Sequence, residues 1–323
     1  MTDTQMHEQP ATSKHSMEPF RLLIEALRNA DYHFITVTPA SHARVNSRPG
    51  NEWAQDLQGI FGWSRPFKRN VISSELFEAM QAADILESYQ DGWRSRIRVS
   101  TLGDQLFIHS AYPTDEADAV FFGPDTYRYA NAIEAQLRFE TGQLRRAVDI
   151  GSGAGPGAIL VALARPDAEV LAVDINNRAL RFTQINAEMA EATNVVTQHS
   201  NLLNEVEGEF DLIVSNPPYL VDPTERAYRH GGGPLGAGLS LSILDAALER
   251  LAPAGTLLLY TGVAMVDSRD PFLEAVQARL AGTDMIWRYR EMDPDVFGEE
   301  LESGVYAQTD RIAAVTLTVT RPA

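Results

Sequence analysis

The stretch that decides the fold is Asp149-Ile-Gly-Ser-Gly-Ala-Gly-Pro-Gly157, which has a glycine at every second position from Gly151 onward. It follows the short apolar segment 147–150, a predicted strand, and opens a predicted helix. Glycines at such a turn let the backbone bend sharply and approach a ligand closely. Asp174 ends the next predicted strand, 25 residues after Asp149, where a carboxylate can accept hydrogen bonds from two ribose hydroxyls. We therefore expect a nucleoside-binding turn rather than a plain tight turn.

From residue 146 onward, apolar strands alternate with helical patterns. This alternation predicts an α/β fold in which a mostly parallel sheet is covered by helices on both faces. Strands are expected at 147–150, 170–173, 195–198, 210–215, 256–260 and 311–320, and helices at 178–191 and 239–251.

Upstream of residue 118 the pattern differs. The spacing predicts helices at 18–30 and 74–83, and two alternating runs around a Gly-Asp turn predict a β-hairpin at 96–109. Residues 1–16 are polar and lack periodicity, which is typical of a disordered tail. The predicted organisation is a tail over 1–16, a helical or winged-helix-like substrate-recognition domain over 17–117, and the α/β domain over 118–323.

Composition excludes several classes of protein. The 323 residues contain no cysteine, which excludes disulfide scaffolds, cysteine nucleophiles, zinc fingers and iron–sulfur clusters. The seven histidines show no metal-ligand spacing, so we predict no metal site. No apolar run is long enough to span a membrane, and the polar N-terminus lacks a signal-peptide core. A cytoplasmic protein is expected.

The net charge of -17 is unevenly distributed. Residues 147–323 hold 12 basic and 25 acidic side chains, whereas residues 1–110 hold 11 and 13. The acidic part repels a phosphate backbone, so any contact with nucleic acid is expected in the N-terminal third. There, Arg94, Arg96 and Arg98 alternate along the first predicted hairpin strand and should share one face. Two interpretations of these arginines remain open, a solvated strand face and a contact with RNA.

The glycine run distinguishes between kinds of nucleoside site. A P-loop requires Gly-Lys followed by Ser or Thr, which is absent, and nicotinamide sites prefer Gly-x-Gly-x-x-Gly. The form D-x-G-x-G-x-G instead resembles the first motif of class I S-adenosylmethionine-dependent methyltransferases. The resemblance places Asp174 at the family's second, acidic position. It places Asn201 at a third position that is usually aspartate, which leaves the role of Asn201 open.

The most specific motif is Asn216-Pro-Pro-Tyr219, directly after the apolar run 210–215. Two prolines stop regular hydrogen bonding and hold the preceding backbone extended. The Asn216 side-chain oxygen and a backbone carbonyl within 216–218 can accept both N–H bonds of a planar amide or amino group. This arrangement would aim the nitrogen lone pair at a sulfonium methyl group, and Tyr219 can stack on the planar acceptor.

With this motif the chain resembles the N-P-P-Y amino-methyltransferases, which act on protein glutamine N5, adenine N6 or guanine N2. Val120-Phe-Phe-Gly-Pro-Asp-Thr-Tyr127 resembles a segment found upstream of the first motif in release-factor glutamine methyltransferases, with a shorter Pro-to-Asp spacing. The glycine-rich stretch 231–243 resembles the segment after N-P-P-Y in the HemK-like branch. The resemblance covers about 118–320. In the family, the segment upstream of the first motif closes over cofactor and acceptor, and the resemblance implies the same for 120–127.

The resemblance implies a Rossmann-like domain with a seven-stranded sheet, whose last strand runs antiparallel. It implies S-adenosylmethionine as cofactor and S-adenosylhomocysteine as product. Asn216, Pro217, Pro218 and Tyr219 would hold the acceptor and carry the catalytic step, with Phe122 and Tyr127 beside it. The cofactor-binding residues would be Asp149, Gly151, Ser152, Gly153, Gly155, Asp174, Ile175, Asn201, Leu202 and Thr126.

The preferred acceptor is a protein glutamine side chain, because an acidic catalytic domain is badly matched to a polyanion. A translation factor or a ribosomal protein is the candidate partner. The main alternative is an RNA or DNA base held through the N-terminal domain, where the enzyme must present an unstacked base to its pocket. A small-molecule methyltransferase and a non-catalytic nucleoside-binding module are further alternatives, and the intact N-P-P-Y motif argues against the last.

Overall fold

The computed structural model describes residues 17–139, 142–222, 226, 228–302 and 304–323. The tail predicted over 1–16 lies outside the described residues. The N-terminal part contains three α-helices and two β-hairpins, so the helices and the hairpin predicted there are confirmed. Their bounds are α1 Glu18–Asn29, α2 Pro39–Asn46, α3 Ser74–Ala82, β1 Leu86–Tyr89, β2 Gly92–Ser95, β3 Ile97–Leu102 and β4 Gln105–Ser110.

Local sequence explains where these helices begin and which face they bury. In α1 the apolar residues recur three and four positions apart, and Phe20, Leu23, Ile24 and Leu27 are buried. In α3 the side chain of Ser73 accepts a hydrogen bond from the Leu76 backbone N–H at 3.1 Å, which satisfies one of the free donors at the helix start.

The prediction that Arg94, Arg96 and Arg98 share one strand face is wrong. Arg94 lies in β2 and Arg98 in β3, with a break in the strand between them. Arg98 is 5% exposed and donates through Nε to the Gly62 carbonyl at 2.9 Å, whereas Arg96 is exposed with Asp84 at 3.8 Å. The alternation rule failed because residues 94–98 are not one continuous strand, and because β3 is buried along its whole length.

The second part is built on a seven-stranded sheet in the order β10-β11-β9-β8-β5-β6-β7. The pairs β5–β6, β6–β7, β5–β8 and β8–β9 are parallel, while β11 runs antiparallel to both β9 and β10. The predicted Rossmann-like sheet with an antiparallel last strand is therefore confirmed. The strands are β5 Arg146–Ile150, β6 Glu169–Asp174, β7 Val195–His199, β8 Phe210–Ser215, β9 Leu251–Met265, β10 Ile286–Asp293 and β11 Arg311–Thr320.

Helices cover both faces of this sheet. Successive residues of β5 point to opposite faces of the sheet. Ala147 belongs to the apolar cluster on one face, and Val148 belongs to the cluster on the other. Because β6 and β8 flank β5 on opposite sides, the chain order reverses there and leaves a crevice at the carboxyl ends of the strands. The helices are α4 Pro124–Phe139, α5 Pro156–Ala164, α6 Asn177–Met189, α7 Gly238–Arg250 and α8 Pro271–Leu280.

Helix α1 and strand β4 of the N-terminal part pack against α6. The buried Asn186 side chain donates to the Ile108 carbonyl at 2.9 Å and accepts from the Ile108 N–H at 2.8 Å, so that it pairs with the edge of β4. The same amide donates to the Ala154 carbonyl in the glycine loop at 2.8 Å. One amide thus connects the N-terminal part to the loop at the end of β5.

Within the described ranges, no helix combines the length and the apolarity that crossing a bilayer requires.

Candidate active site

Asp149 supports the glycine loop through contacts with α4 and α5, and it does not line the pocket. Its carboxylate is buried, accepts from the Tyr129 hydroxyl at 3.0 Å, and accepts from the Ala158 N–H at 2.9 Å. Burial raises the pKa of Asp149 from its usual value to about 7. A Cβ on Gly157 would lie 2.6 Å from the Asp149 Oδ2 atom, so only glycine allows α5 to approach this carboxylate.

The loop that follows is held in a left-handed conformation and tied to β6. Gly151, Gly153 and Gly155 have φ angles of 71°, 57° and 86°, which favour glycine. The Gly153 N–H donates to the Asp174 Oδ2 atom at 3.0 Å. Gly151, Ser152 and Gly153 line the pocket, whereas Gly155 packs against Thr183. Gly155 therefore shapes the loop from outside the lining.

Asp174 stands at the end of β6 and lines the same pocket, with Oδ1 accepting from the Asn176 N–H at 2.8 Å. Desolvation by burial raises the pKa of this carboxyl above its usual value. Each oxygen retains a further lone pair for a ligand hydroxyl. Ile175, 54% exposed, lines the same end of the pocket together with Asn201 and Leu202.

These residues fit a nucleoside. The carboxylate can accept from adjacent ribose hydroxyls, and the exposed Ile175 side chain provides an apolar surface for a base. In the described part of the chain the Asn201 side chain has no hydrogen-bond partner, which leaves its amide free for the polar edge of that base. The residues present thus suit the adenosine part of S-adenosylmethionine.

The Asn-Pro-Pro motif lines the other end of the pocket. The Ser215 hydroxyl donates to the Ile150 carbonyl at 2.7 Å, which holds the end of β8 beside the end of β5. Asn216, Pro217 and Pro218 then line the pocket, whose cavity is about 250 Å³. Within the described residues the Asn216 side chain makes no hydrogen bond to the protein. Asn216 therefore lines the pocket together with the nucleoside residues, and its side-chain amide is not engaged by a described protein group.

Tyr219 completes the motif but is anchored at its hydroxyl end. It is 7% exposed and donates to the Asp125 Oδ2 atom. Its ring packs so tightly on β9 that a Cβ on Gly262 would lie 2.1 Å from Cε2. Tyr219 lines the pocket from this fixed position.

The upstream segment divides into two groups. Thr126 lines the pocket, as does Asp125. Phe122 and Tyr127 lie outside the lining. The Phe122 ring is stacked 5.1 Å from that of His109, and the Tyr127 hydroxyl accepts from the Thr36 N–H at 3.0 Å. These two residues therefore contact the N-terminal part of the chain.

Sequence reasoning missed several lining residues. Asp125 is adjacent to the predicted Thr126, and the resemblance of segment 120–127 could have indicated it, whereas Tyr129 lies two residues beyond that segment. Pro39, Tyr112 and Tyr228 also line the pocket, and no motif marks them. Among the described side chains, no group of three or more His, Asp or Glu is arranged to hold a metal ion.

Comparison with known proteins gives several relatives. The chain is 34% identical over 200 residues to the release factor glutamine methyltransferase of Deinococcus radiodurans, covering 58% of this chain and 66% of the relative. It is 36% identical to the ribosomal protein uL3 glutamine methyltransferase of Neisseria meningitidis serogroup A, covering 37% and 43%. It is 37% identical to the tRNA1(Val) (adenine(37)-N6)-methyltransferase of Aeromonas hydrophila, covering 38% and 54%.

These matches are partial, since the chain spans less than two thirds of the length of each of these relatives. Among solved structures, Methanocaldococcus jannaschii Trm5 in complex with adenosine superposes with a TM-score of 0.50 at 14% identity, covering 80% of this chain and 63% of that one. At that identity the likeness concerns the fold.

A family model covers the centre of the α/β part. Residues 133–265 match the methyltransferase small domain, a range that includes the glycine loop, Asp174 and the N-P-P-Y motif. The chain therefore carries a methyltransferase small domain, built on the Rossmann-like sheet described above.

Proposed function

We propose that this protein transfers a methyl group from S-adenosylmethionine to the side-chain amide nitrogen of a glutamine in a protein. The observation that carries the proposal is the unpartnered Asn216 side chain, held by the end of β8 beside the nucleoside residues Asp174 and Asn201. A translation factor or a ribosomal protein in the cytoplasm is the proposed partner. The relatives named for release factor and uL3 methylation support this choice.

The proposed mechanism addresses the weak nucleophilicity of a planar amide nitrogen. An amide nitrogen is a poor nucleophile because its lone pair is delocalised into the carbonyl. The Asn216 Oδ1 atom and a backbone carbonyl within 216–218 accept hydrogen bonds from the two N–H groups, which fixes the amide plane and so aims the lone pair, which is perpendicular to that plane, at the methyl group. Gly151, Asp174 and the lining residues beside them would hold S-adenosylmethionine, which would supply a methyl group on a positively charged sulfur.

The same oxygens stabilise the positive charge that develops on nitrogen as the new N–C bond forms and the S–C bond breaks. The electron pair of the broken S–C bond would stay on sulfur, giving S-adenosylhomocysteine as the second product. The methylated nitrogen is then acidic and loses one proton to solvent, so no strong base is required before transfer. Pro217 and Pro218 keep the accepting oxygens in place, because their backbone has little conformational freedom.

Charge around the pocket favours a protein over a nucleic acid. The arginines that line or adjoin it are paired: Arg128 with Asp125 and Asp293, and Arg229 with Glu300. Binding of a phosphate backbone relies on Lys and Arg side chains that are free to neutralise phosphates. In the described residues near the motif, these cations are already neutralised by carboxylates.

The second candidate is methylation of an RNA base. The relative named for adenine-N6 methylation of tRNA supports it. Arg44 and Arg48 on and after α2 also support it, because both are exposed, neither has an acidic partner among the described residues, and Pro39 of the same helix lines the pocket. These arginines would contact phosphates while the base enters the pocket.

One experiment separates the two candidates. The purified protein and S-adenosylmethionine with a labelled methyl group are added to a cell extract, and the products are treated separately with protease and nuclease. We expect label that resists nuclease and is lost to protease, and that is absent with Asn216→Ala. Asn131→Ala, at an exposed position on α4, is the matched control. Label that survives protease and is lost to nuclease would overturn the proposal.

A further inference from the structure

A buried carboxylate joins three parts of the domain at the acceptor end of the pocket. Asp125, in the first turn of α4, is 7% exposed and lines the pocket. Its Oδ2 atom accepts from the Tyr219 hydroxyl, and its Oδ1 atom accepts from the Tyr260 hydroxyl at 2.7 Å. The three residues belong to α4, to the segment after β8, and to β9.

The negative charge of the Asp125 carboxylate is compensated by an arginine of the same helix. Arg128, one turn further along α4, donates to the Asp125 Oδ1 atom at 3.1 Å and to the Asp293 Oδ2 atom at 2.7 Å. A buried carboxylate requires such a partner, because removal from water disfavours the charged form. With two phenols and a guanidinium bound to it, Asp125 is engaged by protein groups and is poorly placed to act as a base toward the acceptor.

The contacts of Tyr219 show what this arrangement does. Its backbone follows Pro217-Pro218 directly, and its ring rests on Gly262. The rings of Tyr219 and Phe297 form a T-shaped pair with their centroids 5.8 Å apart. The Asp125 carboxylate is the hydrogen-bond partner of its hydroxyl. Because the two prolines have little conformational freedom, a displacement of the Tyr219 ring is passed on to the Asn216–Pro218 oxygens.

We propose that Asp125 is a positioning residue for methyl transfer, which holds Tyr219 and through it the acceptor-binding backbone in the reactive geometry. Tyr260 and Arg128 in turn hold Asp125. The inference rests on the proposed function in one respect, that the acceptor is bound at Asn216–Tyr219. A displacement of about 1 Å in such a site can cost on the order of 100-fold in rate.

The test is a double-mutant cycle. Asp125→Asn keeps the shape of the side chain but places an N–H₂ group where a phenol donates, and Tyr219→Phe removes only the donating hydroxyl. We expect each single variant to lower kcat by about 10-fold or more, with KM changed less. The double variant should be no slower than the slower single variant, because both remove the same contact. Dissociation constants for S-adenosylmethionine, measured by calorimetry, should stay within about 3-fold.

Glu134→Gln is the matched control, since Glu134 is an exposed carboxylate on the same helix. Should Asp125→Asn fail to fold, Tyr219→Phe alone decides, because it leaves the Asp125–Arg128 pair intact. Wild-type kcat in Tyr219→Phe would overturn the inference. So would multiplicative losses in the double variant accompanied by weakened cofactor binding, since they would indicate general destabilisation. The assay uses whichever acceptor the wild-type protein labels in the extract, so failure of the glutamine assignment leaves the role of Asp125 decidable.

Discussion

At the scale of single residues, close approach explains why certain positions hold glycine. Gly157 allows α5 to reach Asp149, and Gly262 allows the Tyr219 ring to lie on β9. In both places an added Cβ would clash with a side chain of the site, at 2.6 Å from Asp149 Oδ2 and 2.1 Å from Tyr219 Cε2. The candidate site therefore requires glycine at positions 157 and 262, where any side chain would displace Asp149 or Tyr219.

The buried Asp149 predicts a pH dependence of stability. Its folded pKa of about 7 lies above its unfolded value of 3.8, so the folded state retains the proton as the pH rises. The stabilisation is thus fully present below pH 3.8 and is lost as the pH rises through 7. Relative to Asp149→Asn, we expect the unfolding free energy of the wild type to fall by about 1 kcal/mol per pH unit between pH 5 and 7.

Urea denaturation of both proteins at pH 5, 6, 7 and 8 measures this difference. Asp167→Asn is the control, because Asp167 is an exposed carboxylate outside the pocket lining. Parallel curves of unfolding free energy against pH for the wild type and Asp149→Asn would show that this carboxyl is not perturbed as described.

Some residue positions could be predicted because their geometry is local. Asp174 and Asn216 lie where predicted, since each ends a strand whose apolar pattern is evident in the sequence. The contact between Asp125 and Tyr219 could not be predicted, because 94 residues separate them and only the assembled sheet brings them together. The burial of Arg98 was missed because strand alternation looks the same in a solvated and a buried strand.

At the scale of elements, hydrophobic pattern was sufficient for the buried strands and insufficient at the edge of the sheet. β5, β6 and β8 are buried on both faces and were predicted nearly to their ends. β10 was not predicted, because Ile286–Asp293 is a largely exposed edge strand without clear alternation. The α8 helix that precedes it was missed as well.

Helix α6 connects the N-terminal part of the chain to the glycine loop, and this connection can be tested. Asn186→Ala leaves the Ile108 backbone groups and the Ala154 carbonyl without their buried partner. We expect a loss of about 2 kcal/mol or more in unfolding free energy. Since the glycine loop is released at Ala154, we also expect weaker binding of S-adenosylmethionine, by about 3-fold or more.

Urea denaturation and calorimetric titration with S-adenosylmethionine measure the two effects. Gln184→Ala is the control, because Gln184 is exposed on the same helix. Reduced stability with unchanged cofactor affinity would mean that Asn186 only holds the two parts together and does not position the loop.

At the scale of the whole molecule, charge and fold are consistent with a protein acceptor. Many arginines of the α/β part pair with carboxylates, for example Arg146 with Glu169 and Arg279 with Asp245. An overall charge of -17 then repels polyanions and attracts basic surfaces. The sequence predicted this charge distribution, but it could not show that arginines near the pocket are paired, because their partners are distant in the chain.

In the proposed function, Asn216 orients a planar protein nitrogen for methylation. The most direct measurement is tandem mass spectrometry of the labelled acceptor protein, made with the wild type and with Asn216→Ala. We predict one added methyl group on a glutamine side chain, and a rate at least about 100-fold lower with the variant at unchanged cofactor affinity. A methyl group on a nucleic-acid base, or a wild-type rate for Asn216→Ala, would contradict the claim.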